Sequence, residues 1–391
     1  MARKVPGDPE YAARVYARAG KDNMDLKRRS FLLGSTAAAS LLAQEGERVT
    51  TAVIGTGNRG SYLLSGVLDQ PNAKVAAVCD IKPDRLDKAA TAAAKDNPAT
   101  YSDWRKVIDR KDIQVVFVAT PPYLHAEMAI AALQAGKHVY CEKPIGVTAA
   151  QVRDLVRVAK ASKRVFMAGQ QMRSYRQMGA AVKRIREGAI GDVIWVKAQR
   201  HATADLAHDG SSGDWYFDVT KSGGYLIEQS VHNLDACNWA IGEHPLRACG
   251  FGATQLYKND PPGRTIFDCS SLTYEYPNGV KLSFTQNVFH PRNMPSGGQY
   301  IYVYGTKGAV DLMTNAMMYP LEAGGTPSVL AEKQDEYRHA HITALYDCIT
   351  KGAASPADIT VGATAALTAI LGHEAMTRQT VTKWSDFGIE L

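Results

Sequence analysis

Short β-branched runs alternate with segments of helical periodicity through the first half of the chain. Val49–Ile54 is an apolar run of strand length. It leads into a segment with Tyr62, Leu63, Gly66, Val67 and Leu68 along one helical face. Residues 74–79, 115–119, 137–141 and 165–168 repeat the strand pattern, and 126–135 and 149–161 repeat the helical one. Strands alternating with helices at this spacing predict α/β architecture, a doubly wound parallel sheet with ligands beyond the strands' carboxyl ends. Two strings stand at those ends, TPPYLH at 120–125 and EKP at 142–144.

Beyond about residue 190 the pattern changes. Strand signals at 192–198, 247–256, 267–275, 280–288, 299–305 and 308–312 follow one another with turns such as Pro277-Asn278-Gly279 between them. Closely spaced strands without intervening helices predict an open, mostly antiparallel sheet. One long helix is predicted over 224–241, carrying Glu228, His232 and Asp235, and 337–378 reads as helical and returning to the first domain. The expected organisation is therefore a leader (1–44), a nucleotide-binding domain (45–190) and a C-terminal α/β domain (191–391).

Composition changes this picture little: 45% hydrophobic and 21% charged residues describe an ordinary globular chain. The formal charge of +6 suggests an anionic partner until it is divided by region. Residues 1–44 hold eight Lys/Arg and four Asp/Glu, which leaves 37 basic against 35 acidic residues in the body. A broad basic face for nucleic acid is thereby excluded. No run reaches the roughly 18 continuous apolar residues of a membrane-spanning helix, so no integral span is expected. The six cysteines form no CxxC pair, and His125, His201 and His208 match no ligand spacing, so no metal site is expected.

The leader carries Lys27-Arg28-Arg29-Ser30-Phe31-Leu32-Leu33 followed by an Ala-rich, mildly apolar run. An arginine pair in this setting reads as a twin-arginine export signal, which places the protein in the periplasm or another extracytoplasmic space. Its cleavage point is open, and a retained anchor is an alternative. A start at Met24 would give the short basic n-region usual for such signals, so Met24 is the expected natural start.

The candidate chemistry begins at Gly55-Thr56-Gly57-Asn58-Arg59-Gly60, between the first strand and the first helix. Gly55 permits the tight turn, Gly57 lets the backbone approach a pyrophosphate, and Gly60 lets helix and strand pack closely. The next strand ends at Asp80, twenty residues beyond Gly60. A carboxylate there accepts hydrogen bonds from ribose hydroxyls and repels a 2′-phosphate, which favours NAD over NADP.

Together these strings resemble the glucose–fructose oxidoreductase / inositol dehydrogenase / MocA family. GTGNRG (55–60), Asp80, TPPYLHA (120–126), EKP (142–144) and GGYLIEQSVHNLD (223–235) stand in that family's order and spacing. The resemblance implies a Rossmann domain and a C-terminal domain whose open sheet forms homo-oligomers. It implies cofactor contacts from Asn58, Arg59, Thr120, Pro121, His125, Glu142 and Lys143 besides the glycines and Asp80. The family's catalytic lysine and histidine fall on Lys143 and His232. Its usual Asp, four residues before the histidine, is Glu228 here; residues four apart lie on one helical face, so Glu228 and His232 are expected to converge on one substrate.

Oxidation of a secondary alcohol suits these residues. A neutral imidazole of ordinary pKa ~6.5 accepts the hydroxyl proton, and an ammonium stabilises the developing alkoxide. His232 is thus expected as general acid/base, Lys143 as electrostatic stabiliser and proton-relay member, and Glu228 as an orienting or substrate-binding carboxylate. Arg173 is a candidate for binding substrate hydroxyls or the cofactor, or for a structural salt bridge, and Trp215 for stacking on a sugar face or for core packing.

The expected function is NAD-dependent oxidation of a sugar or cyclitol hydroxyl. Export without free NAD outside favours a tightly carried cofactor and redox-neutral chemistry. The alternative is an NAD-dependent glycoside hydrolase working by oxidation, elimination, water addition and reduction, with Tyr175, Tyr216 or Tyr225 as the carbon-acid base. A sugar sensor without catalysis would not need Lys143 and His232.

Overall fold

The computed structural model describes residues 48–204, 213–294, 297–335 and 337–391; the twin-arginine segment, Met24 and His208 lie outside them. Six parallel strands, β1 (Val49–Ile54), β2 (Ala73–Cys79), β3 (Ala99–Tyr101), β4 (Val115–Val118), β5 (His138–Cys141) and β6 (Phe166–Ala168), form the first sheet in the order β3-β2-β1-β4-β5-β6. All four residues of β4 are buried, as are Val53 and Ile54 of β1. This is the signature of strands covered by helices on both faces. The covering helices include α1 (Asn58–Leu68), α2 (Pro83–Ala92), α3 (Trp104–Asp109), α4 (His125–Gln134) and α5 (Ala149–Ala161); α6 (Arg176–Arg186) follows β6. The strand order reverses around β1, which β2 and β4 flank, and this is the switch point where such sheets bind ligands.

The second sheet has nine strands: β7 (Val193–His201), β8 (Arg247–Ala253), β9 (Cys269–Glu275), β10 (Lys281–Asn287), β11 (Gln299–Gly305), β12 (Gly308–Asp311), β13 (Met317–Pro320), β14 (Ser328–Val329) and β15 (Thr382–Lys383). Their order is β14-β13-β12-β11-β7-β10-β9-β8-β15. Every neighbouring pair is antiparallel except β7 with β10. Val196, Ala198, Leu282, Phe284, Ile301 and Val303 point to the buried face. Trp195, Lys197, Tyr300, Tyr302 and Tyr304 alternate with them onto the other, which remains partly or fully exposed.

Five further helices complete the fold: α7 (Val219–Ser222), α8 (Gly224–Glu228), α9 (Val231–Ile241), α10 (Ala340–Lys351) and α11 (Ile359–Arg378). By length and composition α11 could cross a membrane, but twelve of its twenty residues are buried within the protein. It packs on α5 and β6 of the first sheet and on α9 and β8 of the second. Both halves thus share one hydrophobic core.

The single helix expected over 224–241 is two. The ladder slips at Ser230, whose N–H donates to Tyr225 O, five residues back, instead of four. Such one-residue slips widen a helix locally and recur at functional sites. Glu228 and His232 therefore do not stand on one continuous helical face.

Candidate active site

The Gly-rich loop joins β1 to α1 at the switch point. Gly55 has φ +84°, and a Cβ on it would lie 2.5 Å from Ala119 O. On Gly60 a Cβ would stand 1.7 Å from Gly55 O, so loop and helix can close only without side chains there. Gly57 caps α1, and no acidic residue occupies the helix's first turn. The helix's free N–H groups and positive end are thus left for an anion. A cavity of about 500 Å³ opens above this loop. Gly55, Gly57, Asn58, Arg59, Asp80, Thr120, Pro121, His125, Glu142, Lys143, Trp215 and Glu228 all border it.

Within that border the roles divide. Asp80 Oδ2 accepts from Thr56 N (2.7 Å) and Oδ1 from Lys82 N (2.9 Å), so the carboxylate is fixed at the end of β2. His125 is buried, with Nδ1 2.7 Å from Pro144 O and Nε2 2.7 Å from Thr120 O. It ties the two strand-end strings together from inside the wall. Glu142 is also buried. It accepts from Arg59 Nε (2.7 Å), Gln171 Nε2 (3.0 Å) and Lys143 N (3.1 Å). Burial pushes its carboxyl up, but Arg59 and Lys143 outweigh burial and hold it below the usual carboxylate range. The Glu142 side chain thus spends its oxygens on the protein, fastening the loop arginine to the strand that carries Lys143.

The cradle fits a dinucleotide: two glycines whose Cβ atoms would collide, a bare helix N-terminus, and Arg59 Nη2, buried without a hydrogen-bond partner among the described residues.

Lys143 Nζ donates to Glu228 Oε1 (2.8 Å) and to Glu228 O (2.5 Å), bringing the end of β5 against α8. Glu228 Oε2 accepts from Gln229 Nε2. His232, at the start of α9, does not meet Glu228. Its Nδ1 lies 2.9 Å from Gln170 Oε1 at the end of β6. Gln170 accepts, so Nδ1 carries the ring hydrogen and the Nε2 lone pair is left for a proton. Burial, then the cations Lys143, Arg59 and Arg200, drive the His232 pKa well below its ordinary value. The ring is therefore neutral at physiological pH.

Arg173, a candidate for substrate binding, is bound bidentately by the buried Asp235 at 2.9 and 2.7 Å, and its guanidinium lies 4.7 Å from the centre of the Trp239 ring. The geometry is that of the structural salt bridge. Trp215 reaches the cavity and meets Tyr216 edge-on at 5.5 Å. His201 bonds Thr285 on the second sheet (3.0 Å). Among the described residues no group of three or more His, Cys, Asp or Glu is placed to hold a metal ion. Gln170, Gln229 and Arg200 belong to the site without having been singled out for it. Arg200 left one trace in the sequence: it continues the inward alternation of Val196 and Ala198 with a charge.

Two family models match: an oxidoreductase family with NAD-binding Rossmann fold over residues 49–170, and the corresponding Gfo/Idh/MocA C-terminal domain over 178–311. A 2,7-anhydro-N-acetylneuraminate hydratase of Escherichia coli is 30% identical over 304 residues, 76% of this chain and 78% of that protein. A glycosyl hydrolase family 109 protein of Stenotrophomonas maltophilia is 35% identical over 200 residues, 47% of this chain and 43% of that protein. A solved levoglucosan dehydrogenase in complex with NADH shares the fold at TM-score 0.73 and 21% identity, covering 86% of this chain and 99% of its own. The two family models, which together span residues 49–170 and 178–311, and a relative 30% identical over 76% of the chain show that the chain belongs to the Gfo/Idh/MocA oxidoreductase family.

Proposed function

We propose that the protein is an NAD-dependent oxidoreductase acting on a secondary hydroxyl of a sugar or cyclitol. The observation that carries this reading is the meeting of Lys143, from the nucleotide-binding sheet, with Glu228 at 2.8 Å beside the neutral His232. Gly55, Gly57, Gly60, Asn58, Arg59 and Asp80 would hold the dinucleotide, with Thr120 and Pro121 across the groove. When bound, its nicotinamide supplies the hydride acceptor. His232 Nε2 takes the hydroxyl proton while Gln170 keeps the ring in the required tautomer. Lys143 stabilises the negative charge growing on oxygen, and Glu228 holds the ammonium in place. The test is the NAD-loaded protein with a panel of sugars, cyclitols and glycosides, followed by absorbance of reduced nicotinamide and by NMR of the products. Accumulating NADH marks net oxidation; product without NADH marks a hydride taken and returned. Failure of the whole panel to yield product or NADH refutes the reading.

The similarity to a glycosyl hydrolase family 109 protein supports a second reading, redox-neutral glycoside cleavage. That route needs a base for a carbon-bound proton. Burial and Glu228 push the Tyr216 phenol up, and burial pushes Tyr225 to about 12, so neither is a phenolate at neutral pH. Tyr175 is 45% exposed, poorly placed to work in a dry site. Aglycone release in the same assay decides for this reading.

Asp80 selects NAD. Replacing it, as Asp80→Ser, removes the charge that opposes a 2′-phosphate and leaves Lys82 and Arg85 at the same end of the cavity. The ratio of NADP to NAD in kcat/KM is expected to rise on the order of 100-fold, a few kcal/mol of relieved like-charge repulsion. Thr56 also loses its partner, so both cofactors weaken, and an unchanged ratio counts against the role.

The exposed tyrosine-rich face of the second sheet supports self-association. Trp195 and Tyr319 are 44% and 45% exposed, with Trp195 stacked on Tyr304 at 5.6 Å. Apolar area of this kind marks contact surfaces. Light scattering should find an oligomer that Tyr304→Glu splits into monomers; a monomeric wild type contradicts this. Export is tested with Arg28→Lys/Arg29→Lys, expected to retain the protein in the cytoplasm in cell fractionation. A twin-lysine protein still exported would remove the twin-arginine assignment.

A further inference from the structure

Three cationic side chains lie within electrostatic reach of His232 at this site: Lys143, Arg59 and Arg200. Two have carboxylate partners, Glu228 for Lys143 and Glu142 for Arg59. Arg200 has none among the described residues. Among those residues its one hydrogen bond runs from Nη2 to Gln229 Oε1 at 3.1 Å, and that acceptor is a neutral amide. Glu228 contributes only at a distance, because Oε1 is taken by Lys143 and Oε2 by Gln229.

A partly buried guanidinium without a counterion is costly, and such charges are ordinarily paired. Burial pushes Arg200 below its ordinary value, with Tyr216 and Glu228 only partly opposing it. The placement adds to this. Arg200 stands on the inward face at the end of β7, opposite Gln286 and Gln299 in register, so no acidic neighbour in the sheet can neutralise it. The nucleotide cradle belongs to the other sheet, so the cofactor's phosphates are not the missing anion. Nη2 spends one N–H on Gln229 Oε1 and keeps another, so one two-donor edge of the guanidinium, Nη2 with Nε or with Nη1, still matches the two oxygens of a carboxylate. With Glu228 close by, a doubly charged phosphate would meet more repulsion than a single carboxylate.

We propose that Arg200 is a carboxylate-recognising residue, and that the substrate class is sugars bearing a carboxylate, as uronates, aldonates or ulosonates do. The proposal rests on the oxidoreductase reading for the hydroxyl chemistry but not for the binding. Arg200 holds the acid group while His232 and Lys143 address a hydroxyl elsewhere on the ring. Gln229, bonded to Arg200, Tyr216 and Glu228 at once, sets the distance between the anchoring and reacting ends.

The test uses the full chain loaded with NAD and sugars matched except for one group: glucose and glucuronate, galactose and galacturonate, with glucose 6-phosphate alongside. Binding is read by calorimetry and, in separate tubes, NADH by absorbance. The acids should bind tighter than the neutral sugars by about 10- to 100-fold, the scale of charge-assisted hydrogen bonds. Arg200→Met should bring that ratio close to one, and Arg200→Lys should keep part of it. Equal binding of acids and neutral sugars by the wild type overturns the proposal, as does absence of acid binding. So does a preference that survives Arg200→Met, or tighter binding of the phosphate than of the acids. Arg200-dependent acid binding without NADH or product would leave the subsite standing and remove the oxidoreductase reading; NADH without acid preference would do the reverse.

Discussion

His232→Asn is expected to lower kcat by about 10²- to 10⁴-fold while NAD still binds, because the lost group is the proton acceptor and not part of the cradle. Lys143→Met should cost on the order of 10²- to 10³-fold in kcat, the usual loss when one stabiliser of developing charge is removed. The two differ in a second readout. In the wild type, burial and neighbouring cations keep His232 neutral well below pH ~6.5, so kcat/KM should stay level through that pH and fall only further into acid. Lys143→Met removes the largest of the opposing charges. The imidazolium becomes easier to form, the His232 pKa rises, and the acid limb of the residual activity moves to higher pH. Stopped-flow rates over pH 4–9 measure both effects. If the limb of Lys143→Met does not move, His232 is not the group that titrates.

The nucleotide half was legible because its chemistry is written in contiguous strings. Gly55 to Gly60 sit on one turn, Asp80 ends the next strand, and EKP ends another, so period-two and helical patterns place each at the same edge of the sheet. The strands of both sheets were legible for the same reason, except β3, β14 and β15, of two or three residues, and β13, whose Met-Met-Tyr-Pro does not alternate. What stayed hidden depended on partners distant in sequence. The apolar pattern of 224–241 runs through Ser230 without interruption, and only the hydrogen bond to Tyr225 O shows the slip that separates Glu228 from His232. The i,i+4 argument failed there because it assumed one ladder. Gln170 gives no signal of its own, since an amide at a strand end becomes an orienting group only when a histidine 62 residues later folds onto it. Arg200 offered a charge on an inward strand position, a mark that period-two reading can find when polar exceptions are read along with apolar matches.

Arg173 was open between two roles, and the structure makes them experimentally separable. Its partner Asp235 is 1% exposed, and burial raises that carboxyl's pKa even with the guanidinium opposing it. Arg173→Met should therefore destabilise the protein by about 3–5 kcal/mol, because it leaves a buried carboxylate uncompensated. The cost should shrink as pH falls, since Asp235 without its cation can take a proton and shed its charge. Arg173→Met/Asp235→Leu should recover most of the loss, as apolar replacement of a whole buried pair is often close to neutral. Denaturant midpoints at pH 8 and pH 5 for both single variants and the double variant complete the cycle. A substrate-binding Arg173 predicts the opposite set: kcat/KM lost, the midpoint little changed, and no rescue by the second substitution. The bidentate contact, the ring of Trp239 beneath it and the 12% exposure of the Arg173 side chain all favour the structural outcome. Breaking the pair at Arg173 alone should therefore loosen the packing of α9, and with it the position of His232, before it touches any sugar.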